Sequence, residues 1–123
     1  MKKTILIVEN DGPFRKIERE LLEDSGYNVL DTDNANEGIS LAMEHIPDLI
    51  LMDIRLPDKK RGIGAAKTLR KNDETQHIPI IFVTAYKKWV HSKEITNIPK
   101  SECITKPFRL DDFLGKIKKY LGD

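Results

Sequence analysis

The segment Pro47-Asp48-Leu49-Ile50-Leu51-Met52-Asp53 decides the fold class, because four consecutive apolar residues without polar alternation end at an acidic residue. Runs of this kind are typical of strands that are covered on both faces within a parallel sheet. Two further runs, Ile5 to Val8 and Ile80 to Val83, have the same character. Together the three runs predict the central strands of one sheet.

Two shorter and more mixed segments, Tyr27 to Leu30 and Cys103 to Thr105, predict outer strands of the same sheet. Between the strands, apolar residues recur at helical spacing. The three clearest sets are Phe14, Ile17, Leu21 and Leu22; Ile39, Ala42, Met43 and Ile46; and Leu110, Phe113, Leu114, Ile117 and Leu121. A further helix is predicted from Gly62 to Lys71. Between Tyr86 and Lys100, where Thr96, Asn97 and Pro99 interrupt the pattern, we expect a short or distorted helix.

Strand and helix therefore alternate five times, which predicts an α/β fold with a parallel sheet and right-handed crossovers. In such folds the ligand site lies at the carboxyl ends of the strands. With 123 residues, the chain has the length of one domain, and we expect that domain to span residues 1–123.

Composition excludes several classes of protein. Hydrophobic residues make up 39% of the chain and charged residues 33%, a balance typical of globular domains. The 21 lysine and arginine residues nearly match the 20 acidic ones, so charge gives no general reason to expect direct binding to nucleic acid or to a membrane. A single cysteine excludes an internal disulfide, and the amino terminus has no long apolar segment. We therefore expect a cytoplasmic protein.

Polar residues follow the strong strands at the edge where a ligand site is expected. Glu9, Asn10 and Asp11 follow the first strand, Asp53 the third and Thr84 the fourth, and Lys106-Pro107 follows the fifth. Separated by tens of residues, these side chains converge only if the sheet is parallel.

At these positions the sequence resembles the receiver domains of two-component response regulators. The resemblance lies in Ile5-Leu6-Ile7-Val8-Glu9-Asn10-Asp11, Pro47 to Asp53, Leu56-Pro57, Val83-Thr84-Ala85 and Thr105-Lys106-Pro107-Phe108. Each motif alone is common, but their joint order and spacing are specific. The resemblance implies a doubly wound, flavodoxin-like (βα)5 sheet with strand order 2-1-3-4-5.

The resemblance also implies roles for the residues at the carboxyl edge. Asp53 would accept a phosphoryl group, Lys106 would pair with a phosphoryl oxygen, and the Thr84 hydroxyl would bind another. Magnesium, which suits an all-oxygen site, would be held by Glu9, Asn10, Asp53 and the backbone carbonyl of Arg55. The implied partners are a histidine kinase or phosphotransfer protein and a downstream protein. We expect a monomer or weak dimer, and a signalling domain instead of a turnover enzyme.

Two residues depart from the family pattern. Asn10 stands where the family usually has aspartate, so we expect weaker magnesium binding. Asp11 could restore the charge, but we favour a role in capping the next helix. Cys103 stands where the family usually has a tyrosine or phenylalanine. These departures leave open a pseudoreceiver, a module that binds proteins without phosphorylation. A phosphatase or flavin-binding enzyme of similar topology is the third alternative.

Overall fold

A computed structural model describes residues 2–57 and 61–122. Its five strands are β1 (Thr4–Val8), β2 (Asn28–Thr32), β3 (Leu49–Asp53), β4 (Ile80–Thr84) and β5 (Ser101–Thr105). Its helices are α1 (Gly12–Asp24), α2 (Ala35–His45), α3 (Arg61–Arg70), α4 (Lys93–Thr96) and α5 (Leu110–Leu121), with a 3-10 turn at Lys87–Trp89. The strands form one parallel sheet in the order β2-β1-β3-β4-β5. The α/β fold class and the strand order are therefore confirmed.

Helices cover both faces of the sheet, which explains the continuous apolar runs. Residues of β1 and β3 point alternately to the two faces, so Leu6 and Ile50 pack on one side while Ile7 and Leu51 pack on the other. The first side is covered by α2, α3 and α4, and the second by α1 and α5. All ten residues of β3 and β4 are buried. A strand that is buried on both faces has no place for polar alternation.

The segment between β4 and β5 is irregular, as the sequence predicts. It contains the 3-10 turn and α4, which has only four residues. The Ser92 side chain accepts a hydrogen bond from the Glu94 N–H at the start of α4. Trp89 lies half-buried against the core on the α3 side of the sheet.

The buried face of α1 differs from the expected one. Ile17 is 51% exposed, whereas Glu18 is only 1% exposed. The inner face follows the i, i+4 spacing of Phe14, Glu18 and Leu22, and Ile17 lies one position away from that line. Leu110, the first residue of α5, is also exposed, because the inner face of that helix begins at Phe113. Placing Ile17 and Leu110 on buried faces was wrong.

Gly62 brings the start of α3 against the end of β3. A Cβ atom at this position would lie 2.0 Å from the Asp53 carbonyl oxygen and 2.9 Å from its carbonyl carbon. The Gly62 N–H donates to the Ile54 carbonyl oxygen at 3.1 Å. A side chain here would therefore displace the backbone that carries Asp53.

We expect Gly62→Ala to lower the free energy of unfolding by about 1–3 kcal/mol or more, because the methyl group collides with rigid backbone. Gly115→Ala is the control, since a Cβ in α5 would meet no heavy atom within 4 Å. It should raise stability by up to about 1 kcal/mol through helix propensity. Urea denaturation of both variants checks the difference, and equal effects would contradict the close approach.

Candidate functional site

A cavity of about 410 Å³ opens at the carboxyl edge of the sheet. Its lining residues are Glu9, Asn10, Asp11, Asp53, Arg55, Leu56, Pro57, Arg61, Thr84, Ala85, Tyr86 and Lys106. Every candidate site residue of the sequence analysis lies in this lining. The convergence follows from the parallel order, which places the ends of β1, β3, β4 and β5 at one edge.

Lys106 is held in the cavity by two acidic residues and one aromatic ring. Its Nζ donates to Glu9 Oε1 at 2.7 Å and lies 3.8 Å from Asp53 Oδ2. The same ammonium group lies 4.7 Å from the centroid of the Phe14 ring. Glu9 is itself fixed, because its Oε2 accepts from the Asp11 N–H at 3.0 Å. The cation therefore stands beside Asp53 in a fixed position.

Asp53 is a buried acid with a strongly perturbed pKa. Burial, followed by a hydrogen bond and charge repulsion from Glu9, raises its pKa from 3.8 to about 7, although Lys106 opposes the shift. The Arg55 N–H also donates to Asp53 Oδ1 at 3.2 Å. Burial and Glu9 outweigh the opposing effect of Lys106, so both the protonated and the ionised form of Asp53 are present near neutral pH.

Thr84 presents a buried hydroxyl group to the cavity. The residue is only 1% exposed, and its Oγ1 accepts a hydrogen bond from the Tyr86 N–H at 3.2 Å. A hydroxyl group can accept and donate at once, so its proton remains able to reach an oxygen in the cavity. The Thr84 carbonyl accepts from the Lys106 N–H at 2.8 Å, which ties β4 to the residue after β5.

The acidic residues of the cavity match the ligands that magnesium prefers. Glu9 and Asp53 both lie beside Lys106 Nζ, at 2.7 Å and 3.8 Å, and magnesium is commonly bound through one or two carboxylates with water completing the shell. Within residues 2–57 and 61–122, no cluster of three or more histidine, cysteine or acidic residues is arranged to hold a metal. The two carboxylates fit the ion, while a third acid is lacking where Asn10 lies exposed.

Asp11 has the capping role that we favoured. Its Oδ1 accepts from the Phe14 N–H at 3.1 Å at the start of α1. The carboxylate is therefore engaged with the helix.

Comparison with known proteins gives the family of this chain. The sequence profile of the response regulator receiver domain matches residues 5–118. The polar-differentiation response regulator DivK of Brucella anthropi is 42% identical over 123 residues, covering 100% of this chain and 99% of that protein. The chain belongs to the response regulator receiver domain family. Such receivers are signalling domains of two-component systems.

Solved receiver structures share the fold. A receiver domain protein from Methanospirillum hungatei is 31% identical, with a TM-score of 0.88 over 98% of this chain and 94% of that chain. The receiver domain of the sensor histidine kinase PA1611 from Pseudomonas aeruginosa has a TM-score of 0.89 and 24% identity over the full length of both chains. That structure has a magnesium ion coordinated in its active site cleft. No helix among the described residues of the present receiver is long and apolar enough to cross a membrane.

A contact between two side chains at the mouth of the receiver cavity was not predicted from the sequence. The Arg55 guanidinium donates to the Tyr86 hydroxyl and lies 4.8 Å from the centroid of the Tyr86 ring. Sequence reasoning used only the Arg55 backbone. Arg55 lies two positions after the end of β3 at Asp53, and Tyr86 lies two positions after the end of β4 at Thr84. This shared spacing could have indicated that the two side chains meet.

Cys103 is half-buried in β5 and packs against the core. Burial raises the pKa of its thiol to about 11, so the thiol stays protonated at neutral pH and is a poor nucleophile. Position 103 carries no aromatic ring, and the aromatic residue that follows Thr84 most closely is Tyr86, which is 42% exposed.

Glu18 is a buried acid that the sequence analysis did not single out. One of its carboxyl oxygens is buried without a hydrogen-bond partner in the part of the chain that the structure describes. Burial, followed by repulsion from Glu9, raises its pKa from 4.5 to about 9, so Glu18 is protonated at neutral pH in the folded receiver. Its i, i+4 relation to Phe14 and Leu22 could have indicated that it points inward.

We expect Glu18→Leu to stabilise the receiver more at pH 8 than at pH 5. Glu18 titrates near 4.5 when unfolded and near 9 when folded, so its contribution is fully present below about pH 4.5 and is lost as pH rises through 9. Removing a buried unsatisfied group should add about 1–3 kcal/mol at pH 8. Urea denaturation of parent and variant at both pH values measures this difference. An equal effect at pH 5 and pH 8 would exclude the buried acid.

Proposed function

We propose that this receiver accepts a phosphoryl group on Asp53 from a histidine kinase or phosphotransfer protein in the cytoplasm. The observation that carries the proposal is the position of Asp53, buried at the end of β3 beside the Glu9–Lys106 salt bridge and facing the same cavity as Thr84. A salt bridge that served only to neutralise a buried acid would not need an open cavity with a hydroxyl group in its lining.

The transfer begins with attack by a carboxylate oxygen of Asp53 on phosphorus. The new bond is P–O, the bond that breaks is the P–N bond of a phosphohistidine, and the released nitrogen keeps the electron pair. Attack needs the ionised form of Asp53. Because the pKa of Asp53 is raised to about 7, part of the population is protonated at neutral pH. A cation that binds beside Asp53 would lower this pKa and so favour the ionised form. The approach of two anions demands fixed positive charge and donors around the transferring oxygens.

Magnesium, when bound, neutralises charge on the phosphoryl oxygens. Glu9 and Asp53 would hold it through carboxylates, and Asn10 and the Arg55 backbone carbonyl would complete the protein ligands. Lys106 would then turn from Glu9 toward a phosphoryl oxygen, since its Nζ already lies 3.8 Å from Asp53 Oδ2. The Glu9 oxygen that Lys106 leaves becomes available to the ion.

Thr84 would convert phosphorylation into a change of the following loop. Its hydroxyl accepts from the Tyr86 N–H, so rotation toward a phosphoryl oxygen alters the hydrogen bond that holds Tyr86. Tyr86 in turn contacts Arg55 at the cavity mouth. We propose that a downstream protein reads this rearrangement of an exposed surface.

Incubation with acetyl phosphate and magnesium should add one phosphoryl group to the parent protein and none to Asp53→Asn. The change removes the nucleophile and keeps the size of the side chain. Intact mass spectrometry measures the adduct, and a receiver known to label serves as the positive control. If the parent stays unlabelled at saturating magnesium, the phosphoacceptor proposal fails and the phosphorylation-independent pseudoreceiver is favoured.

Asn10→Asp should increase magnesium affinity roughly five- to several-hundredfold. A unit charge about 4 Å from an ion contributes about 1–4 kcal/mol at effective dielectric constants of 80 to 20. Asp11→Asn is the matched control, because asparagine caps helices as well as aspartate and the Asp11 carboxylate already bonds to α1. Isothermal titration calorimetry measures both. A large loss of affinity in Asp11→Asn would instead make Asp11 the metal ligand.

A further inference from the structure

A second surface depression lies between α3 and α4, away from the phosphoacceptor cavity. We call it the α3–α4 groove and define it by Lys67, Arg70, Lys71, Lys93, Ile98 and Pro99. Its volume is about 410 Å³ and its lining is mostly apolar. That is room for one or two side chains, not for a large cofactor.

The rim of the α3–α4 groove is strongly cationic. Lys67, Arg70 and Lys71 come from the last turn of α3 and its end, and Lys93 comes from α4. Among the described lining residues, Glu94 alone carries a carboxylate. Within the described ranges, none of the four cations forms a salt bridge with an acidic side chain. The charge is therefore left for a partner to neutralise.

The Arg70 guanidinium in the groove is only partly hydrogen-bonded. Its Nε donates to the Pro99 carbonyl at 2.8 Å and one terminal nitrogen donates to the Lys100 carbonyl at 3.2 Å. The other terminal nitrogen is buried without a hydrogen-bond partner among the described residues. Burial without an anion lowers the pKa of this guanidinium. Because this nitrogen is shielded from solvent, a carboxylate of a partner would pair with the accessible part of the planar guanidinium, which is half-buried as a whole.

We propose that the α3–α4 groove docks an acidic segment of a partner protein. The segment inserts an apolar side chain between α3 and α4 and places carboxylates against Lys67, Arg70, Lys71 and Lys93. Charge complementarity favours this occupant over a neutral apolar helix. Among the described residues, none that lines the groove is aromatic, so this lining lacks the stacking platforms that single-stranded nucleic acids use.

The groove lies at the opposite end of the strands from the phosphoacceptor cavity. The ten-residue helix α3 begins at Arg61, next to the Gly62 that meets the Asp53 backbone, and ends at Arg70, whose guanidinium bonds to the residue that precedes β5. A helix of this length spans about 15 Å. Docking therefore needs no phosphoryl group on Asp53, and the inference does not rest on the proposed function.

A random library of 12-residue peptides, selected on the immobilised full chain, tests the proposal. Selected peptides should combine an apolar residue with flanking aspartate or glutamate. The Lys67→Glu/Lys71→Glu variant should bind them at least tenfold more weakly, by fluorescence anisotropy. Lys16→Glu/Lys118→Glu makes the same charge change on exposed residues of α1 and α5 and should bind normally. Asp53→Asn should also bind normally, which separates this test from that of the phosphoacceptor.

Several outcomes would overturn the proposal. One is a selection without acidic enrichment, and another is equal binding to the parent and the Lys67→Glu/Lys71→Glu variant. A third is tighter binding of a 12-nucleotide oligothymidylate than of any selected peptide. Thermal unfolding shows whether the double variant is folded. If it is not, the test is repeated with Lys93→Glu, a substitution in α4.

Discussion

The salt bridge between Glu9 and Lys106 is the interaction on which the site depends. It joins residues 97 positions apart, one after β1 and one after β5, across the two strands that separate them in the sheet. Asp53 lies beside the salt bridge and is perturbed by both partners. The bridge holds a largely buried cation in the cavity, where a lysine alone would be costly to bury. It also keeps a Glu9 oxygen engaged until another cation competes for it. In the proposed metal site, the same acid would link the position of Lys106 to the binding of magnesium.

Burial raises the pKa values of two acids in or near the cavity, and the neutral residue Asn10 lowers the negative charge at its rim. Asp53 is buried beside Glu9 and has a pKa raised to about 7. Glu18 is buried near the same charged groups, and its pKa is raised further, to about 9. Each group becomes easier to ionise when positive charge enters. Asn10 removes one permanent negative charge from the rim, which lowers the attraction for a divalent cation without changing the buried pair. In the proposed function, metal affinity and the reactivity of Asp53 would thus depend on different residues.

The fold could be predicted from sequence because buried parallel strands leave a strong signal. Three unbroken apolar runs fixed the centre of the sheet, and the residue after each run then identified Glu9, Asp53 and Thr84. Local geometry was less predictable. Ile17 fitted a helical period yet is exposed, because a helix of 3.6 residues per turn allows two neighbouring inner faces and only packing decides between them. Glu18 was overlooked because acids are rarely buried without a partner. The contact between Arg55 and Tyr86 depends on loop conformation, which no periodicity reports.

In the proposed function, Asp53 receives a tetrahedral phosphoryl group beside magnesium, Lys106 and Thr84. Beryllium fluoride, which mimics that group on a carboxylate, tests it most directly through ¹⁵N heteronuclear NMR of the labelled protein. We expect beryllium fluoride to bind only when magnesium is also present. Binding should shift the amide signals of Thr84, Tyr86 and Lys106, and the spectrum of Asp53→Asn should not change. Unchanged spectra at saturating magnesium and beryllium fluoride, or the same shifts in Asp53→Asn, would contradict it.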